Sequence, residues 1–234
     1  MANTFFEFKQ FTVHQDKTAM KVCTDACIQG AFTASRMPAV PRVLDIGTGT
    51  GLLSLMLAQQ SSAAIDAIEL DEQAALQAAA NFEASPWGDR LHVIREDVRA
   101  FSGEHYPFII SNPPFYEQDL KSPSHQRNAA MHAVSLGYEE LLAAIKRLLS
   151  KDGSFSVLLP YDGFQRFNAL AVSGGFVLRE LLLVRQTPAH DYFRAVGIFG
   201  PAGTLNTTEI SIYDAQRNYT PEFSALLQQY YLYL

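Results

Sequence analysis

The chain has 234 residues, 48% of them hydrophobic, and 18 Lys+Arg against 24 Asp+Glu give a formal net charge of −6. That length suits one well-packed α/β unit, and the acidic balance excludes a protein that coats nucleic acid with a generally cationic surface, so any RNA contact must be local. The start, MANTFFEFKQ, has no apolar run behind a basic segment, and no later stretch approaches the ~18 uninterrupted apolar residues of a membrane span, so a cytoplasmic protein without a membrane partner is expected.

Taken in chain order, FFEFKQFTVHQD (5–16) reads as a short strand or hairpin. TDACIQGAFTAS (24–35) opens on a Thr-Asp cap signal and should be helical. Its Cys23 and Cys27 are the only cysteines; spaced i, i+4 with no His or Cys cluster beside them, they read as reduced, non-catalytic thiols, and no metal site is expected. RVLDI (42–46) is a first core strand and LLSLMLAQQ (52–60) the helix after it. AAIDAIEL (63–70) is a second strand, followed by the Ala-rich helix DEQAALQAAANFEA. LHVIRED (91–97) and YPFIIS (106–111) continue the strands, and GYEELLAAIKRLLS (137–150) is a helix with Gly153 as its stop signal. GSFSVLLP (153–160), a helix near 163–173, FVLRELLLVRQ (176–186) and YFRAVGIFG (192–200) complete the core. Alternating β-branched runs and helices predict a mostly parallel sheet covered on both faces. The segment between the last two runs is too short for a helical crossover, so that pair should be antiparallel. TEISIYD looks extended, and PEFSALLQQYYLYL, with Pro at its start, ends in an aromatic tail. The expected organisation is a single domain over 1–234, with an N-terminal extension and helix (1–36) and a C-terminal tail (201–234) packed back on the core.

Asp45-Ile46-Gly47-Thr48-Gly49-Thr50-Gly51 joins the first core strand to the first core helix. Its glycines allow a tight turn and close approach of a ligand, and the helix N-terminus is expected to present free N–H groups. The spacing is G-x-G-x-G, not the dinucleotide fingerprint G-x-G-x-x-G. Glu69 ends the second strand 22 residues after Gly47, where a carboxylate can accept from both ribose hydroxyls. Asp71 is the less favoured substitute and a candidate cap for the following helix. Asp97 closes the third strand and could accept from an adenine amine. The fourth strand runs into Ser111-Asn112-Pro113-Pro114-Phe115-Tyr116. Pro-Pro stops a strand and Asn favours turns, which alone explains many such corners. Beside Asp45, Glu69 and Asp97, all at carboxyl ends of successive strands, the corner reads instead as one wall of a ligand site.

This ordered set resembles the Rossmann-like S-adenosylmethionine-dependent methyltransferases that act on amino groups. FKQFTVHQDKTAMKVCTDACIQGAF and YTPEFSALLQQYYLYL are further similar to the bacterial valine-tRNA adenine-37 N6-methyltransferases, so the resemblance spans nearly the whole chain. It implies a seven-stranded, mostly parallel sheet with an antiparallel last strand, S-adenosylmethionine as cofactor, tRNA as partner and no metal; a monomer is favoured. It implies cofactor contacts from Lys21 and Thr24 over the methionine end and from Asp45, Gly47, Gly49, Gly51, Glu69 and Asp97. It implies an acceptor site formed by Asn112, Pro113, Pro114 and Phe115, with Tyr116 and Arg127 toward the substrate. Cys23 stands where members often carry Gly, Phe108 where they often carry Asp, and Met131 where a further Arg would be expected after the corner.

In chemical terms, an adenine N6 lone pair is delocalised into its ring. If the Asn112 side-chain oxygen and the Pro113 carbonyl accept the two amine hydrogens, the nitrogen can be aimed at a methyl donor. Phe115 can stack on a base turned out of its RNA. Methylation of ribosomal RNA bases or of a protein glutamine amide uses the same chemistry, but only about forty residues precede Asp45, too few for the separate domain that glutamine methyltransferases add. An oxidoreductase reading of the glycine turn leaves the Asn-Pro-Pro corner unexplained, and a non-catalytic scaffold leaves Asp45, Glu69 and Asn112 without a purpose.

Overall fold

A computed structural model of the chain describes residues 3–18, 21–113 and 136–234. A hairpin of β1 (Phe5–Glu7) and β2 (Thr12–His14) precedes α1 (Thr24–Arg36). The core continues through β3 (Arg42–Ile46), α2 (Leu52–Gln60), β4 (Ala64–Glu69), α3 (Glu72–Glu83), β5 (Leu91–Arg95) and β6 (Tyr106–Ser111). Then come α4 (Tyr138–Leu148), β7 (Leu149–Pro160), α5 (Tyr161–Ser173), β8 (Val177–Arg185), β9 (Tyr192–Gly200), β10 (Asn206–Ser211) and α6 (Pro221–Leu227).

Eight strands form one sheet in the order β10-β8-β9-β7-β6-β3-β4-β5. β3, β4, β5, β6 and β7 pair in parallel, and β9 runs antiparallel between β7 and β8. Both faces are buried, because successive residues of a strand point to opposite sides. Val43, Phe108 and Ile110 join the core beneath α1, α2 and α3, whereas Leu44, Ile46 and Ile109 join the core beneath α4 and α5. The tail returns to the hairpin and α2: the Tyr230 hydroxyl donates to the Met56 carbonyl at 3.1 Å and Gln59 Nε2 to the Gln229 carbonyl at 2.7 Å.

Four sequence expectations need correction. The sheet has eight strands where seven were expected, because Asn206–Ser211 adds to the β8 edge in parallel. The segment TEISIYD was expected to be extended, but only Ile210 of this strand is buried, the mostly polar pattern of an edge strand, so nothing in the sequence marked it as part of the core sheet. Gly153 is no helix stop: α4 ends at Leu148, the strand starts at once, and Gly153 lies inside β7 where its register on β6 shifts. Thr24 is the first helical residue of α1, with Cys23 at the N-cap and no side-chain cap. β5 ends at Arg95, so Asp97 sits two residues beyond the strand, where its carbonyl accepts from the N–H groups of Ala100 and Phe101.

Candidate active site

A cleft of about 550 Å³ opens at the carboxyl ends of β3, β4, β5 and β6, within the size range of small-molecule sites. Lys21, Gly47, Gly49, Glu69, Asp97, Asn112 and Pro113 all line it. The parallel strands bring these distant residues together, since each strand ends at the same edge of the sheet. Pro114, Phe115, Tyr116 and Arg127 lie outside the described residues.

The floor is the glycine turn. Gly47, Gly49 and Gly51 all have positive φ, from +58° to +85°, a region costly for any residue with a Cβ. A Cβ on Gly49 would meet nothing within 4 Å, whereas one on Gly51 would lie 2.4 Å from Phe82 Cε1. Gly51 thus lets α3 approach α2 and does not line the cleft. The turn's N–H groups are not free as the sequence suggested. Gly47 and Thr48 donate to the Ile68 carbonyl at 2.9 and 3.0 Å, and Gly49 donates to Glu69 Oε2 at 2.8 Å. A carboxylate occupies the donor a phosphate would need, which disfavours the dinucleotide reading.

Asp45 lies beneath the turn, fully buried and out of the cleft lining. Its Oδ2 accepts from the Thr48 and Ser54 hydroxyls, each at 2.7 Å, while Oδ1 is buried without a partner. Burial pushes its carboxyl up to about 6; the two hydroxyls oppose this and the nearby Glu69 charge adds to it. Glu69 Oε1 accepts from the Asp71 N–H at 2.9 Å, and the Asp71 side chain caps α3 by accepting from Ala74 N–H at 2.8 Å. Asp97 pairs with Arg99 at 2.6 Å; hydrogen bonds from that guanidinium hold its carboxyl below the usual range, so it faces the cleft already partnered.

Lys21 bends back to donate to the Gln15 carbonyl. Thr24 is not among the cleft residues, and its hydroxyl lies beside Tyr231. Cys23 lines the cleft as an exposed residue whose thiol is raised by partial desolvation and the adjacent Asp25, and burial pushes the Cys27 thiol up to about 12, so neither is activated toward a thiolate at neutral pH. Leu70 was missed by sequence reasoning because it reads as the last residue of a strand; it is 45% exposed and forms an apolar wall beside Glu69.

At the opposite wall, Asn112 Oδ1 is buried without a hydrogen-bond partner. The preceding Ser111 is fixed twice, its Oγ donating to the Ile46 carbonyl at 2.9 Å and its carbonyl accepting from Gln29 Nε2 at 2.9 Å. A cleft with apolar walls, acid groups and an unsatisfied amide acceptor suits a cationic nucleoside and a neutral amine. Among the described residues no cluster of His, Cys, Asp and Glu could hold a metal ion, and no helix is long and apolar enough to cross a membrane.

Comparison with known proteins agrees with this chemistry. The family described as "Methyltransferase small domain" matches residues 31–159. A Dyadobacter fermentans protein named tRNA1(Val) (adenine(37)-N6)-methyltransferase is 44% identical, with 98% of each chain covered. A Bacteroides fragilis protein of the same name is 41% identical over 99% of each. A crystal structure of a predicted O-methyltransferase from Agrobacterium tumefaciens shares the fold, with a TM-score of 0.66, 19% identity and coverage of 88% of this chain and 96% of that one.

Proposed function

This chain belongs to the tRNA1(Val) (adenine(37)-N6)-methyltransferase family, and from that premise we propose how its residues carry the reaction. It is an S-adenosylmethionine-dependent enzyme that methylates N6 of adenine 37 in valine tRNA. The observation that carries the mechanism is the buried, unpartnered Oδ1 of Asn112 at the wall of the cleft.

The residues present fit the cofactor. Glu69 would hold the ribose hydroxyls, exchanging its bond to Gly49 N–H for them, and Leu70 and Val98 would flank the adenine ring. Asp97 would take the ring amine while keeping Arg99 as its partner. Lys21 and the Gly47–Gly49 turn would enclose the methionine end, and Asp45 would act from below by supplying negative charge to a cationic ligand. When bound, the cofactor supplies an electrophilic methyl group on a sulfonium.

On the acceptor side, Asn112 Oδ1 and the Pro113 carbonyl accept the two N6 hydrogens and turn the nitrogen lone pair toward the donor. Pro113 and Pro114 restrict the backbone that carries those acceptors. The family resemblance would give Phe115 the role of stacking on the target base and Tyr116 and Arg127 roles toward the substrate; all three lie outside the described residues. The amine needs no strong base, because its proton leaves to water once the nitrogen has gained the methyl. A cytoplasmic location is part of this reading, since that is where a tRNA-modifying enzyme meets its substrate.

Methyl transfer from labelled cofactor to unmodified valine tRNA tests this with wild type and Asn112→Ala. The variant should lose at least ~10²-fold in kcat with cofactor binding retained. Equal activity in the two proteins would remove Asn112 from the mechanism.

A further inference from the structure

α1 meets the sheet through a polar stripe at i, i+4 and i+8. Asp25, Gln29 and Thr33 are 9%, 0% and 0% exposed, in an otherwise apolar interface. Each reaches a different strand. Asp25 Oδ2 accepts from Arg194 Nε of β9 at 2.7 Å, Gln29 Nε2 donates to the Ser111 carbonyl at the end of β6 at 2.9 Å, and the Thr33 and Ser156 hydroxyls share a bond to β7 at 2.8 Å.

Gln29 differs from the other two in where it acts. Its bond fixes the peptide that links Ser111 to Asn112, on the residue whose hydroxyl is tethered to the Ile46 carbonyl of β3. The Asn112 amide oxygen itself has no partner, so the orientation of that side chain depends on how firmly the peptide before it is held. Gln29 Oε1 is also buried without a partner. An apolar side chain of similar volume would avoid that desolvation penalty, so what favours an amide here is the bond made by its nitrogen end.

We propose that Gln29 is a positioning residue for methyl transfer: it lies outside the cleft and sets the Asn112 corner through the Ser111 carbonyl. The proposal rests on the assignment of Asn112 as the acceptor of the amine hydrogens. A misplacement of about 1 Å in such a group can lower a rate by ~10²-fold, so a single buried hydrogen bond is enough to matter.

Gln29→Leu and Gln29→Met both keep the volume and remove the donor. Thr33→Val removes a neighbouring buried bond of the same helix that leads to β7, away from the corner. In the Gln29 variants kcat should fall about 10–100-fold, with cofactor affinity by calorimetry unchanged within ~2-fold. Thr33→Val should lower the melting temperature and leave kcat unchanged. Ser111→Ala, which removes the hydroxyl tether of the same residue to β3 without touching α1 and leaves its place in the sheet, should lower kcat as the Gln29 variants do, and it decides the matter if those fold poorly. Wild-type kcat in the folded Gln29 variants, or in Ser111→Ala where they do not fold, overturns the proposal, as does a kcat loss that merely tracks melting temperature across all of them. Asn112→Ala separates the two levels: if it is inactive while Gln29→Leu is fully active, the positioning role alone fails, and if it is fully active, the assignment beneath it fails.

Discussion

Asp45 carries a cost that its chemistry explains. Its folded-state carboxyl titrates near 6, above its ordinary 3.8, so folding takes up a proton between those values and stability falls as pH rises through them. Above pH 6 the buried charge destabilises the free protein by roughly 3 kcal/mol. Asp45→Asn, measured by denaturant unfolding without cofactor, should therefore be more stable than wild type at pH 7, with the gap closing below about pH 4. The same variant should bind S-adenosylmethionine more weakly, because a cationic ligand offsets the charge that the free protein must bury. A stability gap independent of pH would mean that packing, and not ionisation, sets the difference. The places of Glu69 and Asn112 on the cleft were legible in the sequence because each sits at the end of a core strand, Glu69 22 residues after Gly47 and Asn112 just before two prolines. Gln29 and Leu70 were not: one acts through a residue 82 positions away, and the other owes its exposure to the cleft in front of it.

Among the elements, the β3–α2 turn and the start of α3 separate binding from scaffolding. Glu69 and Asp71 are two residues apart, yet one carboxylate faces the glycine turn and the other caps a helix. Glu69→Gln should weaken cofactor binding by about tenfold or more, while Asp71→Ala should cost about 1 kcal/mol of stability and leave the cofactor affinity nearly unchanged. Calorimetry together with thermal unfolding reads both, and a cofactor defect in Asp71→Ala would reassign the ribose carboxylate. Gly51→Ala places a Cβ against Phe82 and forces a left-handed conformation on alanine, so a loss of about 2–4 kcal/mol is expected. Wild-type stability would show that Phe82 swings aside without penalty. The order of strands and helices was readable from the alternation of apolar runs. The extended TEISIYD segment was readable too, but not that it joins the sheet as β10, nor the first residues of β7, since the pairing of an edge strand and the irregular register of β7 on β6 are set by tertiary contacts, not by local preference.

For the whole molecule, a net charge of −6 limits how much of tRNA binding can come from phosphate contacts. Affinity for valine tRNA should fall less than about a hundredfold between ~50 and ~200 mM salt, below the ~10³–10⁵ of proteins that make 6–10 such contacts. A steeper fall in a binding titration would reveal a cationic surface that the overall composition conceals. The reaction itself is read most directly in cells: mass spectrometry of total tRNA with and without this gene should show N6-methyladenosine at position 37 of valine tRNA only when the gene is present. An unchanged modification at that position, or loss of a methylated guanine instead, would contradict the assigned reaction.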